Sequence, residues 1–80
     1  MDTNIQKFNQ IFSRTLHVSK GEIHDTTAPE TVPAWDSFNA LMLISELEKE
    51  FNTRFTMDQV TSAKNVGDLK EALRKNGVSL

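Results

Sequence analysis

The sequence contains no cysteine. That excludes a disulfide framework and any thiolate-ligated metal site, and it leaves the chain without a thiol of its own. Long apolar runs are missing as well, so nothing approaches the roughly 20 consecutive apolar residues a membrane-spanning helix requires. The first residues do not follow the charged-then-apolar order of a signal peptide. These features predict a soluble, cytoplasmic protein, complete in itself from Met1. An excess of positive charge is also missing. Nine Lys and Arg against eleven Asp and Glu give a formal net charge of −2, which argues against nucleic acid as the main partner, because phosphate binding needs a basic surface. The only histidines, His17 and His24, have no cluster of further ligands beside them in the sequence, so both read as loop residues and no metal site is expected. With 80 residues, the chain is expected to form one domain spanning 1–80, burying about 60–65% of its unfolded surface around a modest core.

In chain order, Asp2 and Thr3 offer capping oxygens ahead of a helical pattern in which Ile5, Phe8, Ile11, Phe12 and Leu16 recur at spacings of three and four. Lys7, Gln10 and Arg14 fall between them, which predicts an amphipathic helix over about 3–16. Gly21 and its polar neighbours end that regularity. Residues 17–35 form a long connection in which Pro29 and Pro33 prevent a continuous helix. A loop of this length in so small a domain has to be anchored or functional, and Val18, Ile23, Val32 and Trp35 are the candidate anchors. Trp35 reads first as a packing anchor, though its place two residues before a serine singled out below leaves a cofactor contact open. The two prolines lower the entropy that the loop loses on folding. Farther on, Asn52 is a plausible helix stop, with Phe55 as a core contact just beyond it. Thr56 with Gln59 three residues later matches a capping box and predicts a short helix over about 56–61, with Val60 and Ala63 inward. Asn65 can cap a last helix that has Asp68 in its first turn, the stripe Val66, Leu69, Ala72 and Leu73, and Arg74 and Lys75 near its negative end. Asn76-Gly77 is a good terminator.

Between the loop and that short helix lies the stretch around which the chain is organised, WDSFNALMLISELEKEF from Trp35 to Phe51. Asp36-Ser37 suits a helix start, where side-chain oxygens accept hydrogen bonds from first-turn N–H groups. An anionic group is stabilised there by the positive end of the helix dipole. Ala40, Leu43, Ile44, Leu47 and Phe51 form one stripe expected to be buried. Phe38, Leu41, Met42 and Ser45 lie on another side that is too apolar for an ordinary solvated face. By default Glu46, Glu48 and Glu50 line a solvated face, with Glu50 and Arg54 as a weak surface pair.

The order Asp36-Ser37-Phe38, then Leu43-Ile44, then Leu47-Glu48, then Glu50-Phe51 resembles the prosthetic-group helix of acyl carrier proteins. The resemblance runs without a gap from Asp36 to about Leu73, and the first half of the chain matches in layout only. It implies an all-α fold, a small four-helix bundle of acyl-carrier type with a long first loop and a short third helix. It further implies 4′-phosphopantetheine attached covalently to Ser37 and drawn from coenzyme A, with Asp36 part of the same site. The cofactor would supply the thiol that the chain lacks, and acyl intermediates would ride on it as thioesters. Implied partners are a phosphopantetheinyl transferase and acyl-loading and acyl-processing enzymes, with the carrier itself a monomer and not an enzyme. Phe38, Leu41, Met42, Glu46 and Glu48 would face those partners, the carboxylates docking basic patches and Met42 adapting to several shapes.

Departures from the family pattern bear on which carrier this is. Fatty-acid-synthesis carriers typically read G-x-D-S-L-D with further acids along the helix. Here Asn39 stands where an acid is usual and Met42 where a glutamate is usual. From Asp36 to Glu71 there are seven acids and four bases, a local net of −3, which is mild for the family. The W-D-S form is similar to dedicated carriers of polyketide, lipid-tailoring, aminoacyl or polysaccharide systems, and D-S-F also occurs in D-alanyl carriers. An aminoacyl or peptidyl carrier is therefore an alternative, as is an unmodified carrier-like module that only docks a partner. A serine hydrolase reading lacks the G-x-S-x-G turn and any means of placing His17 or His24 beside Ser37. A helix-turn-helix DNA binder is disfavoured by charge.

Overall fold

Local capping chemistry starts each α-helix among the described residues. The computed structural model describes residues 3–80, so Asp2, one of the two candidate caps, lies outside the described residues. Thr3 caps α1, Asn4–Leu16: its hydroxyl accepts the Gln6 N–H at 3.1 Å, and the Gln6 side chain accepts the Thr3 N–H at 2.8 Å. The helix therefore begins one residue after the expected start, because Thr3 serves as the cap itself. Asp36 caps α2, Ser37–Phe51. Thr56 and Gln59 form the expected capping box on α3, Met57–Ser62, at 3.0 and 3.1 Å. Asn65 caps α4, Val66–Lys75, by accepting the Asp68 N–H at 2.8 Å. Two helices end on left-handed residues, α1 at His17 (φ 56°) and α2 at Asn52 (φ 50°). Asn tolerates that region better than most side chains do, which suits its role as a stop. After α4 the chain turns at Gly77 (φ 94°), a conformation that favours glycine.

Three of the helices, α1, α2 and α4, share one core. α1 supplies Phe8, Ile11, Phe12 and Leu16, α2 supplies Leu43 and Leu47, and α4 supplies Val66, Leu69, Ala72 and Leu73. Within it Phe12 stacks on Phe8 with ring centroids 6.1 Å apart and meets Trp35 edge-on at 5.2 Å. Ala40, Ile44 and Phe51, expected in the α2 stripe, are only half-buried and pack on the edge of this core. The inner stripe of α2 thus narrows to Leu43 and Leu47. α3 contributes no buried side chain; Val60 and Ala63 are half-buried. A polar clasp helps hold this helix instead. Gln59 and Asn76 pair through their amides at 3.1 Å, and the Asn76 amide also donates to the Arg54 carbonyl at 2.9 Å.

The long loop is ordered by the anchors expected of it: Ile23, Val32 and Trp35 are buried and Val18 packs against the core. It also contains a single 3-10 turn at Lys20–Glu22, which the polar run around Gly21 did not signal. Thr27 is a polar anchor, with its hydroxyl accepting the His24 N–H at 2.9 Å and donating to the Glu22 carbonyl at 3.2 Å. The loop then latches the start of α4. The Thr27 and Asp25 carbonyls accept the Val66 and Gly67 N–H groups at 2.9 and 2.8 Å, meeting two of the donors every helix start leaves unpaired. A Cβ at Gly67 would lie 3.2 Å from the Asp25 carbonyl oxygen, so any larger residue there would press on this latch. Lys70 completes the latch: its ammonium lies 3.0 Å from Asp25 Oδ1 and 5.6 Å from the centre of the Phe8 ring.

Candidate functional site

The junction of this loop with α2 is built by short-range bonds. Trp35 N–H donates to the Val32 carbonyl at 2.9 Å, which closes the last turn of the loop. Buried Trp35 is a packing anchor against Phe12. Asp36 follows in extended backbone, and its Oδ1 accepts the Asn39 N–H at 2.8 Å. The Asn39 side chain then reaches back, Nδ2 donating to the Ala34 carbonyl at 2.8 Å. One residue thus holds both sides of the turn, a role for which Asn39 carries a donor that an aspartate at neutral pH would lack.

Ser37 is the first residue of α2 and is exposed. Its hydroxyl stands at the positive end of a 15-residue helix whose first turn carries no acidic side chain. A phosphodiester formed at this oxygen would meet the favourable field of the helix start, which it would share with the capping Asp36 carboxylate. The donor chemistry and the exposure fit a covalently attached phosphate group.

Beyond Ser37 the outer side of α2 is apolar and open. Phe38 is 70% exposed, Leu41 64% and Met42 44%, at positions i, i+3 and i+4. A fourth exposed apolar side chain, Met57 at 76%, sits at the start of α3 and was missed by sequence reasoning. The available signal was a methionine next to a capping threonine in a helix too short and polar to bury it. Glu46 and Glu48 farther along α2 already have partners. Glu46 is half-buried, 3.6 Å from Arg14 of α1 and 3.8 Å from Lys49. Glu48 Oε2 accepts the Phe55 N–H at 2.8 Å, tying the end of α2 to the following loop. Glu50 and Arg54 are exposed, and among the described residues no ion pair joins them. His17 and His24 are exposed, one at the end of α1 and one in the loop. Among the described residues no group of three or more His, Asp or Glu side chains could hold a metal ion, and no helix is long and apolar enough to cross a membrane.

Comparison with known proteins reaches this site by two routes. The phosphopantetheine attachment site family matches residues 34–73, half of the sequence, with Ser37 and all of α2 inside the match. Among solved structures the chain is similar to one described as "a putative acyl carrier protein" from Mycobacterium tuberculosis, at 26% identity and a TM-score of 0.78. That match covers 88% of this chain and 93% of the other. No curated protein matches.

Proposed function

The chain belongs to the phosphopantetheine attachment site family, and from that premise we propose that it is an acyl carrier modified on Ser37 and presenting acyl groups to the enzymes of a fatty acid, polyketide or related specialised pathway. The carrying observation is Ser37 itself, an exposed hydroxyl at the first position of α2 within the matched span. When attached, 4′-phosphopantetheine from coenzyme A supplies the thiol this cysteine-free chain lacks and bears the acyl group as a thioester. The protein's own part is to offer one reactive hydroxyl on a rigid element. Asp36 serves by fixing the helix start, since its carboxylate is spent on the Asn39 N–H. The positive end of α2 then favours the phosphodiester once it forms, alongside the Asp36 carboxylate.

Partner enzymes, a phosphopantetheinyl transferase first among them, would meet Phe38, Leu41 and Met42 beside the serine. Burying an apolar side chain of this size in an interface is worth about 1.5–3 kcal/mol. Glu46 and Glu48 would act as rim charges that steer the encounter, with their reach reduced by the contacts they already make. The 80 residues serve as one carrier domain, a reading supported by the single core, and the carrier acts as a monomer. Catalysis belongs to the partners.

An aminoacyl carrier is the second reading, and the Phe38 that follows Asp36-Ser37, the D-S-F form, is what favours it. Intact mass after incubation with coenzyme A and a promiscuous transferase tests the attachment. The expected result is one phosphopantetheine adduct on the wild type and none on Ser37→Ala. Modification persisting in Ser37→Ala would put the site elsewhere, and an unmodified wild type would favour a docking module.

A further inference from the structure

Resting on the attachment of the cofactor at Ser37, we infer that Asn39 is a positioning residue for that attachment: its side chain sets the Ser37 hydroxyl for attack without touching the reacting atoms. Modification forms a bond from Ser37 Oγ to the pantetheine phosphorus and breaks the pyrophosphate linkage of coenzyme A. The adenosine bisphosphate leaves with the electron pair, and the hydroxyl proton passes to a base of the transferase. Such a displacement needs the attacking oxygen in line with the leaving one, and small misplacements cost rate. The carrier's share is therefore how narrowly the place of Oγ is fixed before the transferase arrives.

Ser37 is exposed, so its place follows from the backbone of residues 34–39 rather than from packing. On the loop side that backbone is anchored by Trp35, buried edge-on against Phe12. On the helix side the Ala40 N–H donates to the Asp36 carbonyl at 2.8 Å. Between these anchors two bonds converge on one residue. Asp36 Oδ1 accepts the Asn39 N–H, and Asn39 Nδ2 donates to the Ala34 carbonyl, each at 2.8 Å. The second bond crosses from helix to loop and encloses Trp35, Asp36, Ser37 and Phe38 in one ring. Only a donor can face a carbonyl oxygen, so the partner fixes which end of the amide points there. Neither bond involves Ser37 Oγ, so the hydroxyl is held in place and stays available. Without the Nδ2 donor the helix start keeps its Asp36 cap but can pivot on the loop, which spreads Oγ over more positions.

The test compares the wild type, Asn39→Asp, Asn39→Ala and Ala72→Gly in the full chain, with coenzyme A and a promiscuous phosphopantetheinyl transferase in excess. Ala72→Gly is the control, because it loosens a different helix, α4. Far-ultraviolet circular dichroism checks that each chain is folded at the assay temperature, and intact mass follows the adduct. The readouts are the single-turnover rate constant at saturating transferase and the transferase concentration that gives half of it, which separate transfer from docking. The expected result is a rate constant about fivefold lower in both Asn39 variants, with the half-saturating concentration unchanged and both constants at wild-type values in Ala72→Gly. A raised half-saturating concentration with an unchanged rate constant would mean that Asn39 touches the transferase. Wild-type constants in both Asn39 variants would mean that the clamp does not place the serine. An equal loss in Ala72→Gly would trace the effect to overall stability. Each of these three results would overturn the inference and leave the attachment intact. A wild type that takes up no phosphopantetheine would overturn the attachment, and the inference with it.

Discussion

Exchanging Asn39 for aspartate would ask whether a single amide holds the turn that presents Ser37. The two side chains share a shape, so the change replaces one donor group by an oxygen. In the native protein Asn39 Nδ2 donates to the half-buried Ala34 carbonyl at 2.8 Å, while its N–H is held by Asp36 Oδ1, also at 2.8 Å. At neutral pH the introduced carboxylate would face both that carbonyl and the Asp36 carboxylate. Losing the hydrogen bond and leaving its acceptor unpaired costs about 1–3 kcal/mol. An acid in the first turn recovers about 0.3–1 kcal/mol from the helix dipole. The loss wins, by about 1 kcal/mol, and for a domain of this size that lowers the melting temperature by about 4–8 °C. Thermal unfolding followed by far-ultraviolet circular dichroism measures it. The pH dependence carries the signature. Protonated, the introduced carboxyl can donate again, so folding favours its protonated form and raises its folded pKa above the unfolded value of about 3.9. The shortfall is therefore smallest below the unfolded pKa and grows to its full size as pH rises through the folded pKa. Asn39→Ala, which has nothing to protonate there, should show a shortfall without that pH dependence. If Asn39→Asp melts at or above the wild-type temperature at neutral pH, the dipole outweighs the clamp and Asn39 does not hold the turn.

Leu47 is 0% exposed at the centre of α2, and Leu47→Ala should cost about 2–5 kcal/mol by denaturant titration, enough to unfold much of a domain with about 5 kcal/mol in total; an unchanged midpoint would mean that the core does not rest on this face. Met42→Glu should weaken the cognate partner's binding by about tenfold or more through the lost apolar contact, with no change in melting temperature. Glu48→Gln keeps an acceptor for the Phe55 N–H and should change mainly the salt dependence of binding. Dissociation constants at two salt concentrations separate the two. Binding untouched by Met42→Glu and badly weakened by Glu48→Gln would mean that charge outweighs apolar contact at this face.

The family resemblance carried by Asp36 to Phe51 was legible in the sequence, and so were the helix starts. Thr3 with Gln6, Thr56 with Gln59 and Asn65 with Asp68 each close a hydrogen bond over three residues. Such a bond needs only the local backbone, so the residue types and their spacing suffice to place it. The same holds for Ser37, whose exposure follows from standing directly after its cap. The stripe of α2 was legible as a period, but its width was not. Burial of Leu43 and Leu47 with only partial burial of Ala40, Ile44 and Phe51 depends on how closely the other helices approach.

The same limit applies to the charges. Glu46 and Glu48 read as a solvated docking rim, until folding brings Arg14 to one and the Phe55 N–H to the other. Spacing within α2 says nothing about either partner, because neither lies on that helix. The latch of the loop onto α4 joins residues 45 apart through Asp25 and Lys70, and the clasp of α3 joins Arg54 to Asn76 across 22. Composition and periodicity alone therefore determined the helices, their caps and the exposed serine, since the forces behind them act within one turn. Only the tertiary structure decided which carboxylates are occupied, how narrow the buried stripe of α2 is, that Met57 of α3 stays open, and how the loop is held, since those contacts exist only after distant segments have closed on one core.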